Sequence, residues 1–372
     1  MADPRRRKML VICPFPQGVA AGQRLKYEQY FDDWRAAGYD IQVSSYMDEA
    51  MWRVVYTKGA YLAKALGVLR GHARRVRDLF RIPGYDLVYV FMWVTPLGTS
   101  LFERLTRKLA RRLVYDVEDN VIQDVSTDQA SANPIARLLK SRSKALHLIR
   151  TADHVVTSSP FLNDTCLAIN ERKACTYVSS SVDTDRFLPA SPYSNERPVV
   201  VGWTGTFSSK PYLDRVRPVL QQLAQQADFR LRVIGNFDYD LPGVDLDVVQ
   251  WSAEKEVEDL QALDIGIYPL PIDDWVLGKS GLKAIQYMAF GLPTVATEVG
   301  TTPMLIRDGE NGLLVRTDEE WLNALARLIR DPELRRRLGE AARRDAVAKY
   351  SVKGVAADYR RVLAAASEGK AE

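Results

Sequence analysis

From Ile265 the chain reads Ile-Gly-Ile-Tyr268-Pro-Leu-Pro-Ile-Asp273-Asp274-Trp-Val-Leu-Gly278-Lys279-Ser280-Gly281-Leu-Lys283-Ala-Ile-Gln286-Tyr-Met-Ala289-Phe-Gly291-Leu-Pro293-Thr-Val-Ala296. A short apolar run, a long Pro/Asp-rich loop, an amphipathic stretch opening near Ser280, a Gly stop at Gly291 and a second apolar run behind Pro293 predict strand, loop, helix and strand. That is one βαβ unit, and two strands so connected lie parallel.

The same alternation runs outward in both directions. Behind it the spacing predicts strands over 199–203, 230–234, 247–249, 265–268, 294–296 and 312–315, helices over 212–226, 254–261 and 281–289, and three terminal helices. Ahead of it, strands are expected over 9–13, 41–44, 87–91, 113–116, 154–157 and 176–179. Helices are expected over 23–37, 97–110, 134–150 and 160–169, the last capped by Ser159 with Pro160 at its first position. Pro189, Pro192 and Pro198 with Ser191, Ser194 and Asn195 form a turn-rich stretch without periodicity. The expected organisation is an α/β chain of two Rossmann-like, doubly wound parallel-sheet domains: 1–188, a linker 189–198, 199–350, and a last helical segment 351–372. Ligands are then expected at the carboxyl ends of the strands, in a cleft between the domains.

Composition narrows the class. The 372 residues are 47% hydrophobic and 26% charged, proportions of an ordinary globular chain long enough for two cores. Three dispersed cysteines, Cys13, Cys166 and Cys175, form no CxxC pair, which argues against a zinc site or disulfide framework and favours a reducing cytoplasm. The apolar run after Lys8 is broken by Pro14 and Pro16, too short for a signal peptide, and no stretch approaches the roughly 20 apolar residues of a membrane span. Net charge is only +4 but uneven: residues 1–190 carry 28 Lys/Arg against 20 Asp/Glu, the remainder 23 against 27. With a pI near 8.8 but no aromatic-basic interleaving on one sheet face, a nucleic-acid partner is not expected. Within 61–81, Leu62, Leu66, Leu69, Val76 and Phe80 alternate with Lys64, Arg70, Arg74, Arg75 and Arg77, as in a helix lying on an anionic membrane; a core-packed helix with a basic solvent face shares the pattern.

Four stretches carry chemistry. After the first strand, Gly18, Gly22 and Arg24 sit in a loop opening a helix, where backbone N–H groups can hold an anion or simply turn the chain. After the strand at 199–203, Gly205, Thr206 and Lys210 form a loop of small and hydroxyl residues with a cation at its mouth, suited to phosphate. Lys279 and Lys283, four apart near a helix start where cations are disfavoured, point to an anionic ligand, with Gln286 one turn on for hydroxyls. Asp116, Glu118 and Asp119 cluster at a strand end, open to a metal, general-base or turn-capping reading. His72, His147 and His154 fall within helical or strand patterns and read as packing or surface residues.

The segment 199–316 resembles the family 4 glycosyltransferases of the GT-B fold. The resemblance is carried by Gly281-Leu, by Gln286-Tyr-Met-Ala-Phe-Gly-Leu-Pro-Thr-Val-Ala and by Gly300-Thr301-Thr302-Pro-Met-Leu-Ile-Arg-Asp-Gly-Glu-Asn-Gly-Leu-Leu-Val. Weaker echoes are Ser158-Ser-Pro-Phe-Leu and Ser181-Val-Asp183-Thr-Asp-Arg-Phe187. The resemblance implies a retaining transferase of the bacterial polysaccharide type. It would take a UDP- or GDP-linked sugar as co-substrate, with no cofactor or metal, and a saccharide or lipid-linked acceptor, from the cytoplasm or the inner face of the cell membrane. Lys279 and Lys283 would neutralise the diphosphate and Asp119 orient the acceptor. Gly205, Thr206, Lys210, Ser280, Gly281, Gln286, Gly300, Thr301 and Thr302 would surround the donor. The sequence departs from the family at its two usual glutamates, replaced by Gly278 and Gln286, at a phosphate-binding arginine, where Gly205 or Thr206 stands, and at a late glutamate, here Met304. A nucleotide-sugar epimerase or hydrolase, or a binding or scaffold protein, uses the same architecture.

Overall fold

The computed structural model describes residues 6–55, 57, 59–118, 142–190 and 198–368. The chain divides into two compact units, Met1–Ser179 with Ala356–Glu372, and Ser180–Val355.

The first unit is built on six parallel strands: β1 (Arg7–Cys13), β2 (Tyr39–Ser45), β3 (Leu87–Phe91), β4 (Leu113–Val117), β5 (His154–Thr157) and β6 (Cys175–Tyr177), in the order β2-β1-β3-β4-β5-β6. Chain order reverses between β1 and β3, so this is where ligand loops diverge. Its helices are α1 (Ala21–Arg24), α2 (Phe31–Ala36), α3 (Glu49–Val55), α4 (Tyr61–Arg81), α5 (Leu101–Leu109), α6 (Arg142–Thr151) and α7 (Pro160–Ile169). Strands β1, β3 and β4 are buried along their inner residues on both faces, as a parallel sheet covered by helices must be.

The single helix expected over 23–37 is instead α1, a 3-10 turn (Glu28–Tyr30) and α2. The Gln29 side-chain Nε2 donates to the Leu25 carbonyl, taking an acceptor that a continuing helix would use, and Glu28 folds back onto the preceding loop. The helix expected over 97–110 begins only at Leu101, and that over 134–150 is described from Arg142 onward.

The second unit holds β7 (Val199–Thr204), β8 (Phe229–Gly235), β9 (Asp245–Gln250), β10 (Ile265–Tyr268), β11 (Thr294–Thr297) and β12 (Gly312–Val315), in the order β12-β11-β10-β7-β8-β9, all parallel. Read from β7, this is the 3-2-1-4-5-6 arrangement of a dinucleotide-type sheet, with its reversal between β7 and β10. The flanking helices are α8 (Lys210–Asp214), α9 (Arg217–Ala224), α10 (Glu256–Gln261), α11 (Leu282–Ala289), α12 (Thr302–Leu305), α13 (Asp318–Arg330) and α14 (Pro332–Lys349). One apolar core joins α9 and α13 to the sheet, and a second joins α10, α11 and α14 to its other face. The helix expected over 212–226 is split into α8 and α9. Pro218 has no N–H for the Asp214 carbonyl and its ring crowds that oxygen, so the helix restarts at Arg217.

The last helix, α15 (Val352–Glu368), continues from the second unit into the first. There Tyr359 is fully buried against Tyr30 and Trp34, with ring centroids 4.6 and 5.6 Å apart, and Tyr39 donates to the Leu363 carbonyl.

Candidate functional site

Strands β7 and β10 end side by side, and their last aromatic residues frame one cation. The Lys283 ammonium lies 5.9 Å from the Trp203 ring centre and 5.8 Å from that of Tyr268, within the range at which ring quadrupoles attract a cation. Helix α11 places Lys283 in its first turn. One residue further along that helix from Gln286, Tyr287 is fully buried, and its hydroxyl accepts from the Thr204 N–H at 2.9 Å, fastening the helix to the end of β7. Burial pushes the Tyr287 phenol well above its ordinary range, so it is a permanent hydroxyl.

Lys279 does not share this helix. Its backbone is extended, and Gly281, at φ +73°, turns the chain before α11 starts at Leu282. The two lysines are therefore not stacked one helical turn apart; a glycine-only turn separates them. Lys279 stands 6.0 Å from the Trp275 ring centre, and its carbonyl accepts from Thr301 Oγ1 at 3.0 Å. Gly300 lies so close to the Val276 carbonyl that a Cβ would sit 3.0 Å from it. Thr302 donates to the Thr297 and Val299 carbonyls and accepts from the Val299 N–H, so its hydroxyl is wholly engaged in the turn. Thr301 and Thr302 thus act as struts that set the Lys279 loop, and Ser280 is buried within it.

The other donor-side residues divide. Gly205 lies against Trp203, where a Cβ would come within 2.3 Å of the indole. Thr206 and Ser209 cap a 3-10 turn (Phe207–Ser209), whose Phe207 N–H donates to Asn236 Oδ1 at 2.9 Å. Lys210 is held in an ion pair with Asp214 at 2.9 Å and lies 5.3 Å from the Tyr239 ring centre. Gln286 is only 6% exposed, and its Nε2 faces Glu256 Oε1 at a long 3.5 Å. Sequence reasoning missed Trp203, Tyr268, Tyr287, Glu256 and Asn236, which become partners only when separate strands are brought together.

In the first unit the loop expected to take an anion already holds one from its own chain. Gly18, at φ +81°, donates its N–H to Glu28 Oε2 at 2.8 Å, and Gln23 Nε2 donates to Glu28 Oε1 at 2.6 Å. Burial raises the Glu28 carboxyl above its usual value. Arg24 ends α1, and its positive charge partly offsets that rise. Gly22 comes near the end of β4, its Cβ position 3.8 Å from Glu118 Oε2. Asp119 lies outside the described residues. Three residues earlier in the chain, Asp116 is fully buried, accepts from the Tyr89 hydroxyl and has Lys26 Nζ 3.8 Å away.

A cavity of about 330 Å³ opens one strand away from the lysines, between the loops after β10 and β11 and the start of α13, with Arg215, Leu270, Thr297 and Trp321 among its walls. None of the residues singled out in the sequence lines it.

Residues 198–331 match the family described as Glycosyl transferases group 1. Over 197 residues, 44% of this chain, the sequence is 29% identical to the D-inositol 3-phosphate glycosyltransferase of Corynebacterium aurimucosum, of which it covers 45%. Over 64 residues, 17% of this chain, it is 44% identical to the corresponding enzyme of Corynebacterium glutamicum, of which it covers 15%. The chain thus spans less than half the length of these curated relatives. Among solved structures, sucrose-phosphate synthase from Thermosynechococcus elongatus superposes with a TM-score of 0.67 at 18% identity, over 97% of this chain and 100% of that one. Anabaena HepE in complex with UDP and glucose gives 0.62 at 14% identity, over 96% and 100%. At such identities the likeness establishes the fold, which is GT-B. The matched segment and the fold together support a glycosyltransferase.

Proposed function

We propose that the chain is a retaining transferase moving a sugar from a nucleotide diphosphate, UDP- or GDP-linked, to a hydroxyl of a saccharide or lipid-linked acceptor. The setting we assign is cell-surface polysaccharide assembly at the cytoplasmic face of the membrane. The observation that carries this reading is Lys283, held between Trp203 and Tyr268 where strand order reverses between β7 and β10. A cation fixed at a sheet's switch point is placed for a phosphate, and the loop carrying Lys279 supplies a second.

In this reading the bond from the anomeric carbon to the β-phosphate oxygen breaks with its electron pair going to that oxygen. The acceptor hydroxyl adds to the same face of the sugar, and its proton passes to the departing phosphate oxygen. Lys279 and Lys283 stabilise the negative charge that grows on the diphosphate; a preorganised donor of this kind contributes ~3 kcal/mol in a transition state. Lys210 joins them by exchanging Asp214 for phosphate. Gln286, with Nε2 turned to Glu256, offers Oε1 to a ribose hydroxyl. Ser280, Gly281, Gly205 and Thr206 line the donor with close backbone. On the acceptor side, Asp119 orients the hydroxyl, and the Gly18, Gly22 and Arg24 loop belongs to the same unit.

The structure of Anabaena HepE solved with UDP and glucose supports a nucleotide-sugar donor, and the relatives named D-inositol 3-phosphate glycosyltransferase support transfer of a glycosyl group. A thermal-shift screen across nucleotide sugars tests it: at a hundredfold excess over Kd the correct donor stabilises the fold by about 2.7 kcal/mol. If no nucleotide sugar or free nucleoside diphosphate raises the melting temperature, the reading fails.

A further inference from the structure

Helix α4 turns its leucines outward. Leu62 and Phe80 are each 83% exposed and Leu69 67%, with Leu66 and Val76 also exposed, while the buried residues of the helix are Gly67, Gly71, Arg75 and Asp78. Positions 62, 66, 69, 73, 76 and 80 fall on one face, so the stripe runs unbroken for about 27 Å. An exposed apolar patch of that length marks an interaction surface.

The inward face explains why the stripe contributes nothing to the core. A Cβ on Gly67 would lie 2.7 Å from Met51, and one on Gly71 2.5 Å from the Tyr46 ring, so the backbone of α4 itself touches the unit. Arg75, 1% exposed, donates to the carbonyls of Cys13, Ser44 and Val94 and pairs with Asp78 at 3.0 Å. It is a strut rather than one of the surface cations the sequence pattern offers. Cys13 ends β1 and Val94 follows β3, so Arg75 fixes α4 to the edge where the first sheet reverses.

The charge around the stripe selects the occupant. Asp78 is the sole acid between residues 61 and 81, and it is buried. Arg70 and Arg77 are exposed beside the stripe, and Arg81 is half-exposed further round the same flank. Among the described residues no helix is long and apolar enough to cross a membrane; one apolar face flanked by arginines is the pattern of a helix lying in a membrane interface. We infer that α4 docks on an anionic bilayer, its leucine stripe among the acyl chains and its arginines at the headgroups. Through Arg75 the docked helix holds the ligand edge of the first sheet at lipid height, within reach of a lipid-linked acceptor. That placement near an acceptor rests on the transferase reading; docking itself does not.

The test is co-sedimentation of the full chain with vesicles of equal phosphatidylglycerol and phosphatidylcholine at about 0.05 M salt, where screening is weak. The wild type sediments with these vesicles, does so less as salt rises, and does not sediment with phosphatidylcholine alone. Arg70→Gln with Arg77→Gln weakens partitioning roughly 25-fold, about fivefold per charge. Leu62→Glu with Leu69→Glu and Phe80→Glu abolishes it while leaving the melting temperature in place, because all three side chains face water. No sedimentation of a folded wild type, or undiminished sedimentation of the triple variant, overturns the inference. So does a concentration-dependent dimer that the triple variant loses, which would give the face to a second copy. Nucleotide-sugar binding, measured on the same preparations, separates a failure of docking from a failure of the transferase reading.

Discussion

Replacing Gly281 by alanine tests how the lysine loop is built. The residue holds φ at +73°, where a side chain costs roughly 1–2 kcal/mol. The added Cβ would lie 2.3 Å from Leu305 Cδ1 and 3.0 Å from Thr301 Oγ1. Overpacking of that kind adds about 1–3 kcal/mol, so the variant should lose roughly 2–5 kcal/mol of stability. The displaced atom matters as much as the energy. Thr301 Oγ1 donates to the Lys279 carbonyl, and moving it frees the loop that carries Lys279. Donor affinity should therefore fall at least about fivefold, the worth of one hydrogen bond of ~1 kcal/mol. Chemical denaturation and donor titration on the same sample read both effects. Gly84→Ala is the control, since a Cβ there meets nothing within 4 Å. A Gly281→Ala variant that melts and binds like the wild type would show that neither the positive φ nor the Thr301 contact sets the Lys279 loop.

Lys279→Ala and Lys283→Ala should each lower the transfer rate by roughly 10²–10³-fold, with unfolding transitions still cooperative, because each removes a charge from the diphosphate rather than from a core; unchanged turnover in both would move the anion site elsewhere. Asp119→Asn should slow transfer more than it weakens nucleotide binding, and equal loss of nucleotide affinity would place Asp119 on the donor side. Burial holds the His154 imidazole below its ordinary range, with Nε2 2.9 Å from Thr176 Oγ1. The unfolded chain therefore takes up this proton first: stability is retained above a pH of about 6.5, the ordinary histidine value, and falls as the pH drops below it, levelling once the folded state also protonates. Urea midpoints of wild type and His154→Gln between neutral and mildly acidic pH read this as a difference, and a wild type that gains stability over the variant on acidification would contradict it.

The strands were legible because a parallel sheet buried on both faces demands near-continuous apolar runs, and those runs stand out at 87–91, 154–157, 265–268 and 312–315, where expected and observed limits coincide. Helix limits were less so. Periodicity carries across Asp214–Pro218, while the break depends on one missing N–H. The lysines announced themselves by charge at the wrong end of a helix, yet the turn at Gly281 that separates them is a backbone property. Trp203 and Tyr268 are 65 residues apart in sequence and become a pair only through the pairing of β7 with β10. Glu28 satisfying the Gly18 loop, and Glu256 meeting Gln286, are likewise contacts between elements. For α4 the pattern showed an amphipathic helix but not which side faces in. That choice was made by Gly67 and Gly71, whose missing side chains let Met51 and Tyr46 reach the backbone.

In the proposed reaction the cations beside β7 and β10 stabilise a departing nucleoside diphosphate while its sugar passes to an acceptor hydroxyl. The most direct measurement of this reaction is single-turnover release of nucleoside diphosphate from the donor found by the thermal-shift screen, with formation of the new glycosidic bond followed in parallel by NMR. Free diphosphate and new bond should form in equal amounts with the anomeric configuration unchanged, and both signals should be lost in Lys283→Ala. A donor that binds but releases nothing, or a diphosphate release that Lys283→Ala leaves intact, would contradict the proposed reaction.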